Sequence, residues 1–377
     1  MTDTDPLVSC RQQRLAKVRE KMREDGVDVL LLSLGGDLPW LTGYEAMALE
    51  RLTTLVLPAE GDATLVVPRL EAPRVREFPD LFSLRPWEET EDPVAIVAQL
   101  AGTPDTAAIS DRCWAAPLLA LQRQLPKTAW RRASEITSEI RAVKDEAEIA
   151  ALRAAGAAAD RVAAALFAGE IALVGCTERE VSEEIGRRLL EEGHSRVNFA
   201  IVASGPNSAS PHHHPSEREI GKGDPIVCDF GGSFELDGEV GYCSDITRTI
   251  VTDEPDRRFE DMFGVLEKAQ AAAVEAATVG VPCEDVDRAA RSRIEKAGFG
   301  EYFIHRTGHG IGIEEHEDPY IVSGNARPLE AGHAFSVEPG IYVQGRWGAR
   351  IEDIVVATED GPLPCNKADH WLRVVQA

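Results

Sequence analysis

The chain has 377 residues, 44% of them hydrophobic, an ordinary globular share that is long enough for two domains with separate cores. A formal charge of −24, from 40 Lys and Arg against 64 Asp and Glu, repels phosphate backbones and sets nucleic acid aside as a partner. No apolar run approaches the ~20 residues of a membrane span, and seven cysteines without a C-x-x-C pair fit free thiols in a reducing cytoplasm.

The opening Met1-Thr-Asp-Thr-Asp-Pro6 is acidic and lacks an apolar core, so no signal peptide is expected. Leu15, Val18 and Met22 give residues 11–25 helical spacing, and Gly26 stops that helix before a strand over 27–32. Short strands are expected at 53–57 and 64–67, a helix at 93–100, a strand at 107–110 and a helix at 115–125. The first 135 residues thus read as a small α/β domain. They hold no tight cluster of His, Cys and carboxylates, which leaves packing, dimer contact or covering a site as their role. Trp40-Leu-Thr-Gly-Tyr44 reads as a buried aromatic beside a turn.

Residues 137–168 are rich in alanine and charge, with Ile140, Val143, Ile149, Leu152 and Val162 recurring on one side, the pattern of one long amphipathic helix. The domain boundary falls near Ser134, giving domains of 1–135 and 136–377. Thr177-Glu-Arg-Glu180 matches a capping box at the start of another helix. A strand over 197–202 leads into the polar loop Ser204 to His214. Helices at 255–277 and 282–297 begin near proline, with Gly298 placed as a C-terminal cap. Strands are expected at 333–343 and 349–357.

Between residues 225 and 251 two strands flank Asp237-Gly238 and deliver Asp229 and Asp245. A two-residue turn there would send the aspartates to opposite faces. A three-residue loop with Gly238 left-handed, or a bulge at Gly231-Gly232, would set Asp229 directly opposite Asp245. Like charges so close either share a proton or hold a cation. Two polar residues at strand ends would look the same in sequence.

Three further segments place a possible ligand among turn glycines: Gly308-His309-Gly310, Ser336-Val-Glu-Pro-Gly340 and Gly348-Ala-Arg-Ile-Glu-Asp353. Asp229, Asp245, His309, Glu338 and Glu352 are four carboxylates and one imidazole, a charge that two divalent cations balance in a two-metal hydrolase.

With these motifs in this order, the chain resembles the metal-dependent Xaa-Pro peptidases of the pita-bread fold, and most closely Xaa-Pro dipeptidases of actinobacterial type. The likeness covers nearly the whole chain and is strongest from Val202 onward. It implies an α/β protein with a small creatinase-like N-terminal domain and a C-terminal pita-bread catalytic domain. It also implies that Asp229, Asp245 and Glu352 bind one metal and Asp245, His309, Glu338 and Glu352 the other. His212, after Pro211, matches the family's substrate-side histidine, His316 the second histidine of the Gly-His-Gly-Ile-Gly…His-Glu motif, and Arg350 the arginine beside the last ligand.

Glu338 is expected to carry a proton as well as bind metal, while His212 or His316 hydrogen-bonds the tetrahedral oxyanion. Oxygen-rich ligation favours Mn²⁺, with Co²⁺ or Zn²⁺ able to substitute. The substrate implied is a proline-containing di- or oligopeptide, and a homodimer without membrane or nucleic-acid partners is the expected assembly. His213 and His214 read as a solvated loop, Cys228 and Cys243 as packing residues, and His194, His305, His333 and His370 as satisfied structural histidines.

Two features depart from the family. The aspartates stand 16 positions apart, a longer connection than usual, and Tyr320 occupies the place of an arginine that grips the substrate carboxylate in archaeal dipeptidases. A Xaa-Pro dipeptidase is the leading expectation and a Xaa-Pro aminopeptidase its nearest rival. A creatinase-like hydrolase works without metal and a binding module usually loses ligands, so the five intact ligands argue against both.

Overall fold

The computed structural model describes residues 6–238 and 240–375. The chain forms two compact units, Met1–Arg141 with Gly238–Val240, and Ala142–Asp237 with Gly241–Ala377.

The first unit is built on a six-stranded mixed sheet in the order Ser83–Trp87, Thr64–Pro68, Thr54–Pro58, Val29–Leu32, Thr106–Ile109, Ala129–Arg132. The fully buried Val-Leu-Leu-Leu strand lies in the middle, antiparallel to Thr54–Pro58 and parallel to Thr106–Ile109. The two edge strands escape the sequence pattern because they carry arginine at an edge, where one side faces solvent. Helix Pro93–Ala101 starts where Asp92 accepts the amides of Val94 and Ala95, with proline at its first position. Its Val97 packs with Leu31, Val56, Val66 and Leu121.

The single helix expected over 137–168 is two, Ser134–Ala142 at the end of the first unit and Glu146–Phe167 in the second. Asp145 breaks it by forming a capping box with Glu148, and the Lys144 amide turns away to the Gly332 carbonyl. The expected capping box at Thr177 does open helix Glu178–Glu191. Helices Arg257–Ala276 and Cys283–Lys296 bury Phe259, Phe263, Leu266, Val286 and Ile294 against Phe335, Ile341 and Val355 of the strands.

Those strands are bent. The two long strands expected at 333–343 and 349–357 each split, into Ala334–Val337 with Gly340–Val343, and Trp347–Arg350 with Asp353–Thr358. The inner pair and the outer pair join separate sheets but keep one register, Val337↔Asp353 before the corner and Gly340↔Arg350 after it. Glu338 and Glu352 therefore face each other at the corner, where Pro339 cannot extend a ladder.

The aspartate hairpin also needs a correction. Asp229 pairs with Thr247, not Asp245, and Ser233 pairs with Cys243. The connection is longer than three residues and turns at Asp237 (φ 52°) and Gly238 (φ 81°). The second strand is interrupted at Ser244-Asp245, where its backbone approaches Gly231 so closely that a Cβ there would lie 2.1 Å from the Ser244 oxygen. Asp245 is thus offset diagonally from Asp229.

Candidate metal centre

A cavity of about 470 Å³ in the second unit is lined by all five expected ligands, Asp229, Asp245, His309, Glu338 and Glu352, and by His212, His316 and Arg350. His309 projects from the short strand Gly308–Gly310, whose glycines are sterically required. A Cβ at 308 would sit 1.8 Å from the Ser336 oxygen, and one at 310 would sit 2.1 Å from that of Asp318. Donor atoms of Asp245, His309 and Glu352 all lie within 4.8 Å of one another. His309 Nε2 is 3.8 Å from Asp245 Oδ2 and 3.4 Å from Glu338 Oε1.

The protonation of the cluster follows from its partners. His309 Nδ1 donates to the Gly310 carbonyl at 3.1 Å, which leaves the Nε2 lone pair aimed at the carboxylates. Burial pushes this imidazole down to about 3, so it is neutral. Burial, then the charge of neighbouring carboxylates, holds Asp245 and Glu352 well above the usual carboxylate range. Burial likewise raises Glu338 to about 7, against the pull of Arg350.

Two carboxylate oxygens, Asp229 Oδ1 and Asp245 Oδ1, are buried without any hydrogen-bond partner. An orphaned buried acceptor costs about 1–3 kcal/mol, more when charged. Four carboxylates, a neutral imidazole with a free lone pair and two orphaned oxygens form a hard, oxygen-rich donor set that divalent cations fit.

Arg350 is 3% exposed, and its guanidinium is occupied within the protein. It donates to Asp229 Oδ2 at 2.5 Å, to Thr247 Oγ1 at 2.9 Å, to the Tyr342 hydroxyl at 2.8 Å and to the Pro211 carbonyl at 3.3 Å. Thr247 passes this on, its hydroxyl donating to Glu352 Oε2 at 2.6 Å. Sequence reasoning missed Thr247, a buried strand threonine with nothing local to mark it.

It also missed Glu178, the first residue of its helix, whose carboxylate gathers the polar loop. Glu178 accepts the amide and hydroxyl of Ser204, the Asn207 amide group, the His213 ring at 2.7 Å, and the amide and hydroxyl of Ser216. Burial opposes its charge, but these donors hold it down to about 2. His213 is consequently a tied residue and not a solvated one. The anchored loop presents Pro211 and His212 to the cavity.

On the opposite wall the His316 ring packs 4.0 Å from that of His309, and its neighbour Glu317 is held by buried Lys144 at 2.8 Å. His305, read from sequence as a structural histidine, lines the cavity while contacting the Arg306 carbonyl and the Tyr342 hydroxyl. Burial pushes its imidazole down to about 4. His194, His333 and His370 have partners in the protein: Leu189 and Ser244, Glu330, and Asp353. Cys243 donates to the Ile313 carbonyl, with burial raising its thiol, and Cys228 lies in a hydrophobic core. Among the described residues no helix is long and apolar enough to cross a membrane.

Comparison with known proteins gives the family and the fold. Residues 150–359 match the model of metallopeptidase family M24, and residues 14–143 match that of the Creatinase/Prolidase N-terminal domain. A probable dipeptidase PepE from Mycobacterium tuberculosis is 45% identical over 367 residues, 96% of each chain. A Xaa-Pro dipeptidase from Lactobacillus delbrueckii subsp. lactis is 34% identical over 373 residues, 96% of this chain and 98% of that one. The crystal structure of a prolidase from Thermococcus sibiricus superposes with a TM-score of 0.90 at 38% identity, covering 96% of this chain and 98% of that chain.

Proposed function

The chain belongs to metallopeptidase family M24, and from that premise we propose that it is a dinuclear Xaa-Pro dipeptidase, cleaving the bond before a C-terminal proline. Its catalytic domain has the pita-bread architecture and its N-terminal domain is creatinase-like. The orphaned oxygens of Asp229 and Asp245 carry the metal reading, because buried carboxylate oxygens without donors must either take up a proton or sit opposite a cation, and the neutral His309 lone pair beside them favours the cation.

In this reading Asp229, Asp245 and Glu352 would hold one ion, and Asp245, His309, Glu338 and Glu352 would hold the other. Mn²⁺ suits the oxygen donors best, and Co²⁺ or Zn²⁺ can replace it. When bound, two divalent cations supply Lewis acidity that activates water and polarises the scissile carbonyl. Glu338 takes up the proton released at the nucleophile and delivers it to the leaving proline nitrogen. His212 and His316, which line the same cavity, donate to the oxygen that gains negative charge. Arg350 holds Asp229 by a charge-assisted bond and fixes the Pro211 carbonyl, so ligand and substrate loop keep one spacing. A proline nitrogen in the substrate has no N–H, so the cavity accepts it by shape.

A cytoplasmic homodimer completes the reading. The named dipeptidases among the relatives support the dipeptidase assignment, while a Xaa-Pro aminopeptidase on the same ligands is the rival. Purified protein assayed with Mn²⁺ on Ala-Pro and Ala-Pro-Ala separates the two. Turnover of Ala-Pro that chelation abolishes is expected, and turnover of the tripeptide alone overturns the dipeptidase assignment.

A further inference from the structure

Five acidic side chains, Asp229, Asp245, Glu315, Glu338 and Glu352, line the cavity, yet a dipeptide brings a sixth carboxylate, its own C-terminus. Something positive must receive it. Arg350 is committed to Asp229, Thr247, Tyr342 and Pro211. The other arginines beneath the site are equally taken, Arg248 by Asp353 and Arg291 by Asp287.

Arg306 is different. It lies between His305 and His309, both cavity residues, and its guanidinium carbon sits 4.4 Å from the centre of the Tyr320 ring. Stacking fixes the plane of a guanidinium while leaving its N–H edge open. Among the described residues no hydrogen bond or ion pair reaches that guanidinium, although acidic residues outnumber basic ones 64 to 40 in this chain.

We propose that Arg306, held flat on Tyr320, binds the free C-terminal carboxylate of the substrate and thereby selects dipeptides over longer peptides. This rests on the Xaa-Pro peptidase reading and supplies its substrate length. A guanidinium meets a carboxylate with two parallel charge-assisted hydrogen bonds, whereas the amide that follows proline in a longer peptide is neutral and offers one acceptor. Selection therefore comes from charge at the far end of the substrate and leaves the metal ligands untouched.

The test is steady-state kinetics of Mn²⁺-loaded wild type, Arg306→Gln and Arg306→Lys on Ala-Pro, Ala-Pro amide and Ala-Pro-Ala, with metal content and melting temperature measured alongside. Wild type is expected to favour the free acid over the amide by about tenfold or more in kcat/KM. Arg306→Gln raises KM for the acid by about tenfold to a hundredfold, keeps kcat within about threefold and collapses the acid-to-amide ratio toward one. Arg306→Lys, which keeps the charge without the fork, recovers part of that ratio. Calorimetric binding of a non-hydrolysable reduced Ala-Pro and its amide reads the same preference without turnover. Equal losses on acid and amide, or a ratio indifferent to the substitution, overturn the proposal. A wild type that cleaves no Xaa-Pro bond but binds the reduced acid through Arg306 sinks the peptidase reading alone.

Discussion

Two cavities among the described residues, one in each unit, are of opposite character. The one in the first unit is the larger, about 640 Å³, and is walled by Leu34, Leu49, Leu52, Trp87, Val94 and Trp114. Its only charged lining residues, Glu50, Arg51 and Glu89, are paired at 2.8 and 2.9 Å. The cavity of about 470 Å³ in the second unit holds five carboxylates, two with an orphaned oxygen. Volume therefore does not find the site, and unsatisfied charge does.

The strongest way to break this contrast is to remove the charge. Asp245→Ala or Glu352→Ala should lower kcat/KM at least about a thousandfold, beyond the ten- to hundredfold typical of outer-shell partners. Steady-state assay with metal saturation checks it, and a loss under tenfold would make the carboxylates bystanders.

A second carboxylate sharpens the contrast from the opposite side, because Glu178 is buried yet supplied with donors. Glu178→Gln should reduce kcat/KM about tenfold through the His212 loop, since one backbone amide loses its acceptor. The loss should vanish in a His212→Ala background, which a general structural weakness would not do.

Glu178 and Glu338 set opposite pH responses. Glu178, depressed from 4.5 to about 2, contributes stability that is fully present above about 4.5 and is lost as pH falls through about 2. The shift corresponds to about 3 kcal/mol, so acid unfolding of wild type and Glu178→Gln should converge at low pH. Glu338, raised to about 7, works the other way in metal-free protein, where stability present below about 4.5 is lost as pH rises through about 7. Calorimetric melting of metal-free protein should therefore fall between pH 5.5 and 8, and saturating Mn²⁺ should remove the slope.

The smallest effect belongs to the first cavity. Ala116→Leu adds an apolar side chain on an exposed helical position lining it, and should leave kcat/KM within about twofold. A tenfold change would give that cavity a part in catalysis.

These contrasts also show what the sequence could disclose. Short motifs rich in glycine announced the five expected ligands, because close backbone approach at Gly308 and Gly310 leaves a local trace. Exact geometry left none. The break at Asp145 carried its own signal, Asp145-x-x-Glu148, but even amphipathic spacing on both sides masked it. The register of the aspartate hairpin depended on a pinch at Gly231 that only the third dimension reveals. Unbroken apolar patterns at 333–343 and 349–357 concealed the corner that sets Glu338 opposite Glu352. Glu178 looked like an ordinary first-turn glutamate, since its six donors come from residues 204–216. Tyr320 read as a lost arginine, whereas in the fold its ring carries Arg306.

The account turns on whether these side chains hold metal, and Mn²⁺ titration calorimetry of the metal-free protein measures that directly. Wild type is predicted to bind two ions per chain and the Asp245→Ala/Glu352→Ala variant none. Saturation of both at the same stoichiometry, or no binding by wild type, would contradict it.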